Sequence, residues 1–434
     1  MRHTPPRTGS RKPPPPAAWR GLPPVFWWIW AGLVVNWMGS FAGPMLAFSL
    51  TTDRGYSASS TGLVVSLLGA GAFAGNLLGG ALADRAGRRR VLIAGHCLGA
   101  AGMATLGLTG QAATVALAAT AVGLGAGAAR TAAGAVLADV LPAEDRQRAF
   151  ALNYWAVNAG TAVSAVLAGL LVVHGYLLLF LADAAATALC ALIVWARVPE
   201  TLPAARRHTG HGPASAPVRG DRPFVLFVLL TAVFAIVLEQ RSGALAVVMA
   251  GQGHTPTDFS VVNAVNALLV VALQIPLSRL VERRSRGGVL AAAGLLVAAG
   301  LGLTGLADGL AAYAALTVLW TLGEMLQAPA GSAVTAGRAP EALRGRYLGA
   351  YGGAWSAAAF LGPAAGGWCL DQWGAPTLWA LCAALGAVAG CGWLLAVGGE
   401  DFRTATAVRS GGASAPPVAP AANGREPDRK GRPS

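Results

Sequence analysis

Charge is scarce in this chain. Only 12% of its 434 residues are Asp, Glu, Lys or Arg, about half of what soluble domains carry. Hydrophobic residues make up 55%. A soluble core of this length does not bury that much apolar surface and still cover itself with polar groups. Such hydrophobicity also excludes a disordered chain. Cysteine is sparse as well. Cys97, Cys190, Cys369, Cys382 and Cys391 form no CxxC pair and lie in or beside apolar runs, which argues against a disulfide framework or a metal site. No Walker-type phosphate loop, HExxH pair or GxSxG elbow is present. The chain therefore reads as a non-enzyme with no cofactor and no metal.

What it does have is glycine, 58 residues of it, and a net charge of +13. On a soluble protein that charge would suggest nucleic acid. Here no basic stripe lies beside an aromatic platform. The arginines sit at the termini and in short gaps between apolar runs, so the expected partners are anionic membrane lipids and not nucleic acid.

A membrane-spanning helix needs about 20 mostly apolar residues. Twelve such stretches are expected: 24–50, 60–83, 91–109, 112–138, 149–171, 175–197, 223–248, 258–280, 288–307, 310–334, 345–368 and 374–397. The first lacks a small-residue cleavage site and is read as a retained span. The spans are rich in Gly and Ala. Interior glycine costs a helix roughly 1 kcal/mol in water. In lipid the backbone must bond to itself whatever its propensity, and small residues let helices approach closely. Placing both termini in the cytoplasm puts 29 of the 32 Lys and Arg residues on that side or its edge, leaving out Arg54, Arg130 and Arg241.

Residues 1–22 and 399–434 are rich in Pro and Arg and read as disordered cytoplasmic tails. Residues 199–222 read as a flexible cytoplasmic linker between a six-helix bundle at 23–198 and another at 223–398. An internal repeat supports the division. Leu82-Ala83-Asp84-Arg85 closes span two and Leu280-Val281-Glu282-Arg283 closes span eight, 198 residues later. Parallel repeats of this kind build some secondary transporters.

The strongest local motif is the run from Gly80 through Asp84, Arg85, Gly87 and Arg88 to Arg90. It resembles the signature loop between the second and third helices of the major facilitator superfamily. The bland alternative is a basic loop with turn glycines, which needs no Asp at this position. The resemblance implies an all-α membrane protein, a twelve-helix bundle in two six-helix halves. It also implies a gating role for the motif: Gly80 permits close helix contact, and Asp84 bonds to the other half near the inner end of span eleven. Gly87 makes the turn, and Arg88 is the charge partner within its own half.

More of the chain is similar to the bacterial multidrug-resistance-like, proton-coupled exporters of that family. The matching segments include Arg130-Thr131-Ala132-Ala133-Gly134, Ala138-Asp139-Val140-Leu141-Pro142, Asn153-Tyr154-Trp155 and Gln274-Ile275-Pro276-Leu277. One feature departs from it: the Gly-Pro motif often found in span five of such antiporters is missing. A similar pattern stands in span eleven at Gly362 and Pro363, where it marks an expected gate bend, because proline leaves a backbone carbonyl unbonded.

Ionisable groups inside the membrane cost about 2.5–3.5 kcal/mol on insertion scales and should face a cavity or a partner. Arg130, Asp183, Glu239 and Glu324 are the candidates for proton coupling, and structural ion pairing is the competing reading for each. Arg130 lies roughly 13 Å from the inner end of its span at 1.5 Å per residue, and the family resemblance ties it to coupling. A buried carboxylate at Glu324 would hold its proton more readily and cycle it. Glu239 and Arg241, two apart on one span, are expected to meet different helices. Asn36, Trp37, Asn158, Gln240, Arg241, Asn263, Asn266 and Gln274 are the cavity candidates. Interhelical glue, worth ~0.6 kcal/mol per contact, is the alternative for the amides.

The resulting expectation is a secondary active transporter. It would be a monomer in a bacterial-type plasma membrane, exporting small amphipathic molecules against protons by alternating access. An importer or facilitator of a small metabolite is the alternative within transport. A non-transporting membrane sensor or scaffold is the alternative outside it.

Overall fold

The structure, a computed structural model, describes residues 21–40, 42–201, 221–281, 284–339 and 343–411. The N-terminal tail up to residue 20, linker residues 202–220 and residues 412–434 lie outside the described residues, as do Glu282 and Arg283 of the repeated acid–Arg pair.

The first half comprises α1 (Pro24–Met38), α2 (Ala42–Thr52), α3 (Ala58–Ala86), α4 (Arg88–Leu108), α5 (Ala112–Val140), α6 (Ala143–Leu171) and α7 (Tyr176–Arg197). The second comprises α8 (Arg222–Glu239), α9 (Ala244–Gly251), α10 (Pro256–Val281), α11 (Arg286–Gly302), α12 (Leu310–Arg338) and α13 (Arg344–Gly411). Local chemistry sets several ends. Ser57 accepts from the Ser60 N–H and Asp221 from the Phe224 N–H, capping α3 and α8. Proline opens α1, where its missing N–H leaves nothing unsatisfied.

Among the described residues nine helical runs are long and apolar enough to cross a membrane. One of these, residues 346–397, is two spans. Gly374 leaves helical geometry there (φ 77°, ψ 172°) and separates the arms of α13, and a positive φ of that kind suits glycine alone. The pair α1–α2 supplies another pass and the less apolar α12 the last, giving twelve. Leucines cover the outside of the bundle; Leu395 is 81% exposed, a cost in water that lipid removes. The final helix continues past residue 398 to Gly411, into the stretch read from sequence as a tail.

Two spans are broken, and the breaks correspond. Span one stops at Gly39, which ends α1, and resumes as α2. Span seven stops at Glu239 and resumes at Ala244. The repeat extends to side chains. The Arg88 guanidinium donates to the Ala135 carbonyl at 2.9 Å, and Arg286 donates to Ala333 at 3.3 Å, a 198-residue offset at both donor and acceptor.

The halves meet at the arginine-poor face. A Cβ on Gly62 would run into the Pro363 carbonyl, one on Gly69 into the Ala359 carbonyl, and one on Gly367 into the Ala58 carbonyl. Here α3 and α13 touch backbone to backbone, as small residues allow. Ser66 Oγ accepts from the Ala364 N–H at 2.8 Å, and Asp371 accepts from the Ala58 and Ser59 N–H groups at 3.2 and 2.8 Å. The Asp371 carboxylate of one half thus caps a helix N-terminus of the other. Toward the arginine-rich face the contact loosens. Gly349, Gly352 and Gly353 face open space, and Gly80 approaches only Thr131 of its own half.

Candidate substrate pathway

The broken spans one and seven, with α3, α6, α10 and α13, enclose a central cavity of about 290 Å³. Trp37, Ser40, Glu239, Arg241, Asn263, Asn266 and Pro363 line it, among mostly apolar neighbours. Glu239 and Arg241 flank the tight turn that ends α8, and both line this cavity while facing different helices: Arg241 faces α12, and Glu239 lies against Gly362 of α13.

Arg241 pairs with Glu324 at 3.4 Å and lies over the Trp320 ring at 5.7 Å. The Asn266 amide donates to Glu324 at 3.2 Å and to Thr321 at 3.0 Å. Four side chains from spans seven, eight and ten therefore form one network, with Glu324 receiving both a cation and an amide N–H. Glu239 lies within electrostatic reach of Arg241 and Glu324, yet among the described residues its carboxylate holds no hydrogen bond or ion pair.

A second cavity, about 440 Å³, opens inside the first half and shares Trp37, Ser40 and Leu68 with the central one. Arg130, Asp183, Asn36, Asn153 and His96 line it. Asp183 is 3% exposed and accepts from Thr187 at 3.5 Å. Arg130 lines the cavity, where among the described residues its guanidinium has no hydrogen bond or ion pair. Asn36 Oδ1 and Asn153 Oδ1 are buried and unbonded.

The remaining candidates serve the walls. Gln240 is buried and donates to the Gly362 carbonyl at 2.9 Å and to Ile236 at 2.8 Å. It ties α8 to α13, and any Cβ on Gly366 would strike it. Gln274 donates to Met325 O and Ser278, bridging α10 to α12. Asn263 lines the cavity while its amide bonds Phe259 O one turn back. Asn158 lies outside the linings of both cavities. Pro363 does not break α13, whose non-helical residue is Gly374. The carbonyl four residues before it, Ala359 O, is the one that Gly69 packs against.

At the arginine-rich face, Gly87 (φ 111°) turns α3 into α4. Asp84 and Arg88 are 3.8 Å apart. The Arg88 guanidinium forms an ion pair with Asp139, and its backbone N–H donates to Glu200 at 2.8 Å. Thr201 also donates to Asp139, at 3.0 Å. Arg85 is exposed. Sequence reasoning missed Glu200. It stands at the linker boundary, where a lone acid carries no periodic signal.

Two related six-pass halves around a cavity with a few polar groups in a mostly apolar wall make a membrane carrier, not an enzyme. The model of the Major Facilitator Superfamily matches residues 29–242 and 242–422, and the chain belongs to that family of multi-pass membrane transporters. It is 28% identical over 336 residues to the multidrug resistance protein MdtH of Cronobacter sakazakii, across 76% of this chain and 82% of that protein. To MdtH of Salmonella typhimurium it is 27% identical over 345 residues, with the same coverage. The fold is shared with a peptide transporter POT in complex with sulfate (TM-score 0.73, 16% identity, 88% of this chain and 96% of that one). It is also shared with a D-xylose-proton symporter (TM-score 0.68, 15% identity, 85% and 96%).

Proposed function

We propose that this transporter exports small amphipathic molecules in exchange for protons by alternating access. It works as a monomer in a bacterial plasma membrane, with both termini and the arginine-rich face in the cytoplasm. The Arg241–Glu324–Asn266 network beside the central cavity carries this reading. Glu324 is a carboxylate ion-paired to a cavity-lining cation. Protonating it removes the charge that holds Arg241 and frees the guanidinium to move within the cavity. A proton gradient suffices as the energy source, since a charge crossing 100 mV is worth about 2.3 kcal/mol. The printed name of the relatives, multidrug resistance protein, favours export and an amphipathic substrate.

The motif at Gly80, Asp84, Arg85, Gly87 and Arg88 acts as the cytoplasmic latch in this scheme. The Arg88–Asp139 pair and the Glu200 cap keep the α3–α4 turn rigid within its half. When the arginine-poor face parts, Asp84 is carried toward the start of α13. The Gly69–Ala359 contact beside Pro363 is the point about which the halves rock.

The test is transport in proteoliposomes. An imposed pH gradient drives substrate uphill in the wild type. Glu324→Gln loses that drive while retaining downhill exchange. Gradient-driven accumulation that survives Glu324→Gln overturns the coupling, and accumulation in the same direction as the protons overturns the exchange.

A further inference from the structure

Among the described residues, the side chains of Glu239 and Arg130 line the cavities without an ion pair, and these two are opposite in sign. Arg241 is taken by Glu324, so the charge left over in the central cavity is the Glu239 carboxylate. In the neighbouring cavity Asp183 also lines the wall but is 3% exposed and accepts from Thr187, whereas Arg130 is exposed and is the more accessible charge. The two chambers are neighbours that share Trp37, Ser40 and Leu68 in their walls. Ionised groups in a low-dielectric site are costly unless something completes them. The buried acceptors Asn36 Oδ1 and Asn153 Oδ1 in the Arg130 chamber also lack donors, a second deficit in the same place.

We propose that the substrate is zwitterionic: an ammonium meets Glu239, an anionic group meets Arg130, and an apolar body lies past Trp37. Hydroxyl or N–H groups near the anion supply the donors that Asn36 and Asn153 lack. A purely cationic amphiphile would leave Arg130 uncompleted, and a purely anionic one would leave Glu239 so. The proposal rests on the proton-exchange reading and extends it. When Glu324 takes a proton, Arg241 is released toward Glu239 and competes with the substrate ammonium for that carboxylate. Proton and substrate then exclude one another, as exchange requires.

The test is equilibrium binding to the purified full-length protein in detergent. It needs no gradient and so fails or succeeds independently of coupling. The probes are ω-aminododecanoic acid, its methyl ester, which keeps the ammonium, and its N-acetyl derivative, which keeps the carboxylate. Binding is read by calorimetry and by quenching of tryptophan fluorescence. The zwitterion should bind at least about tenfold more tightly than either derivative, since each charge-assisted contact is worth about that factor or more. Glu239→Gln should erase its advantage over the N-acetyl compound, and Arg130→Gln its advantage over the ester. Arg130→Lys should restore part of the latter. Equal affinity for the three probes, no binding of any, or variants that weaken all three alike despite unchanged monodisperse elution would overturn the proposal.

Discussion

Arg88 shows how much one residue does in a chain with so few charges. Its side chain is 10% exposed, paired with Asp139 and bonded to Ala135 O, while its backbone N–H is held by Glu200. Replacing one member of a buried pair strands the other. Asp139 is still 24% exposed, so solvent relieves part of that loss. Arg88→Ala is expected to destabilise the protein by about 2 kcal/mol, read as an earlier thermal transition in detergent. The adjacent exposed Arg85→Ala should cost less than about 0.5 kcal/mol. Equal shifts for the two would show that the pair does not hold the turn. Gln240 offers a second case. Gln240→Leu removes the bond to Gly362 O inside a tightly packed seam and should cost about 1–2 kcal/mol on the same assay.

At the scale of elements, close packing of α3 on α13 depends on glycine. Gly69→Val would place a side chain where the Ala359 carbonyl stands, so the arginine-poor face should no longer close. Spin labels at the exposed positions Gln111 and Asp308 would report this as a longer mean separation than in the wild type. An unchanged distance distribution would show that the seam closes elsewhere. Elements were also where sequence reading did best and worst. Apolar length marked all twelve spans, because lipid demands about 20 such residues whatever their identity. The breaks after Met38 and after Glu239 stayed hidden, because Gly39 and Gly243 are ordinary members of a set of 58 glycines. Helical rotation was hidden for a related reason. Spans built from Gly and Ala carry little periodicity, so nothing in the order of residues told Gln240 to face α13 and Glu239 to face the cavity. The ion pair between Arg241 and Glu324, 83 positions apart, needed that rotation to be known.

At the scale of the whole molecule, arginine divides the two faces. If the arginine-rich face lies in the cytoplasm, green fluorescent protein fused after residue 434 should fluoresce. Alkaline phosphatase fused there should be inactive, and fused near residue 110 it should be active. Phosphatase activity at the C-terminal fusion would invert the orientation. The match of the Major Facilitator Superfamily model to both halves and the paired Arg88 and Arg286 contacts place the same unit twice in one chain.

The glycine seam has a mechanical corollary. Surfaces made of Cα hydrogens and carbonyl oxygens carry no rotamers to unlock, so they part like a dry bearing, without interdigitated teeth. Resistance to parting then concentrates in the few directional bonds along it, Asp371 to Ala58 and Ser59, and the buried Ser66 to Ala364. Trimming those bonds should quicken turnover, whereas thickening the glycines should stall it.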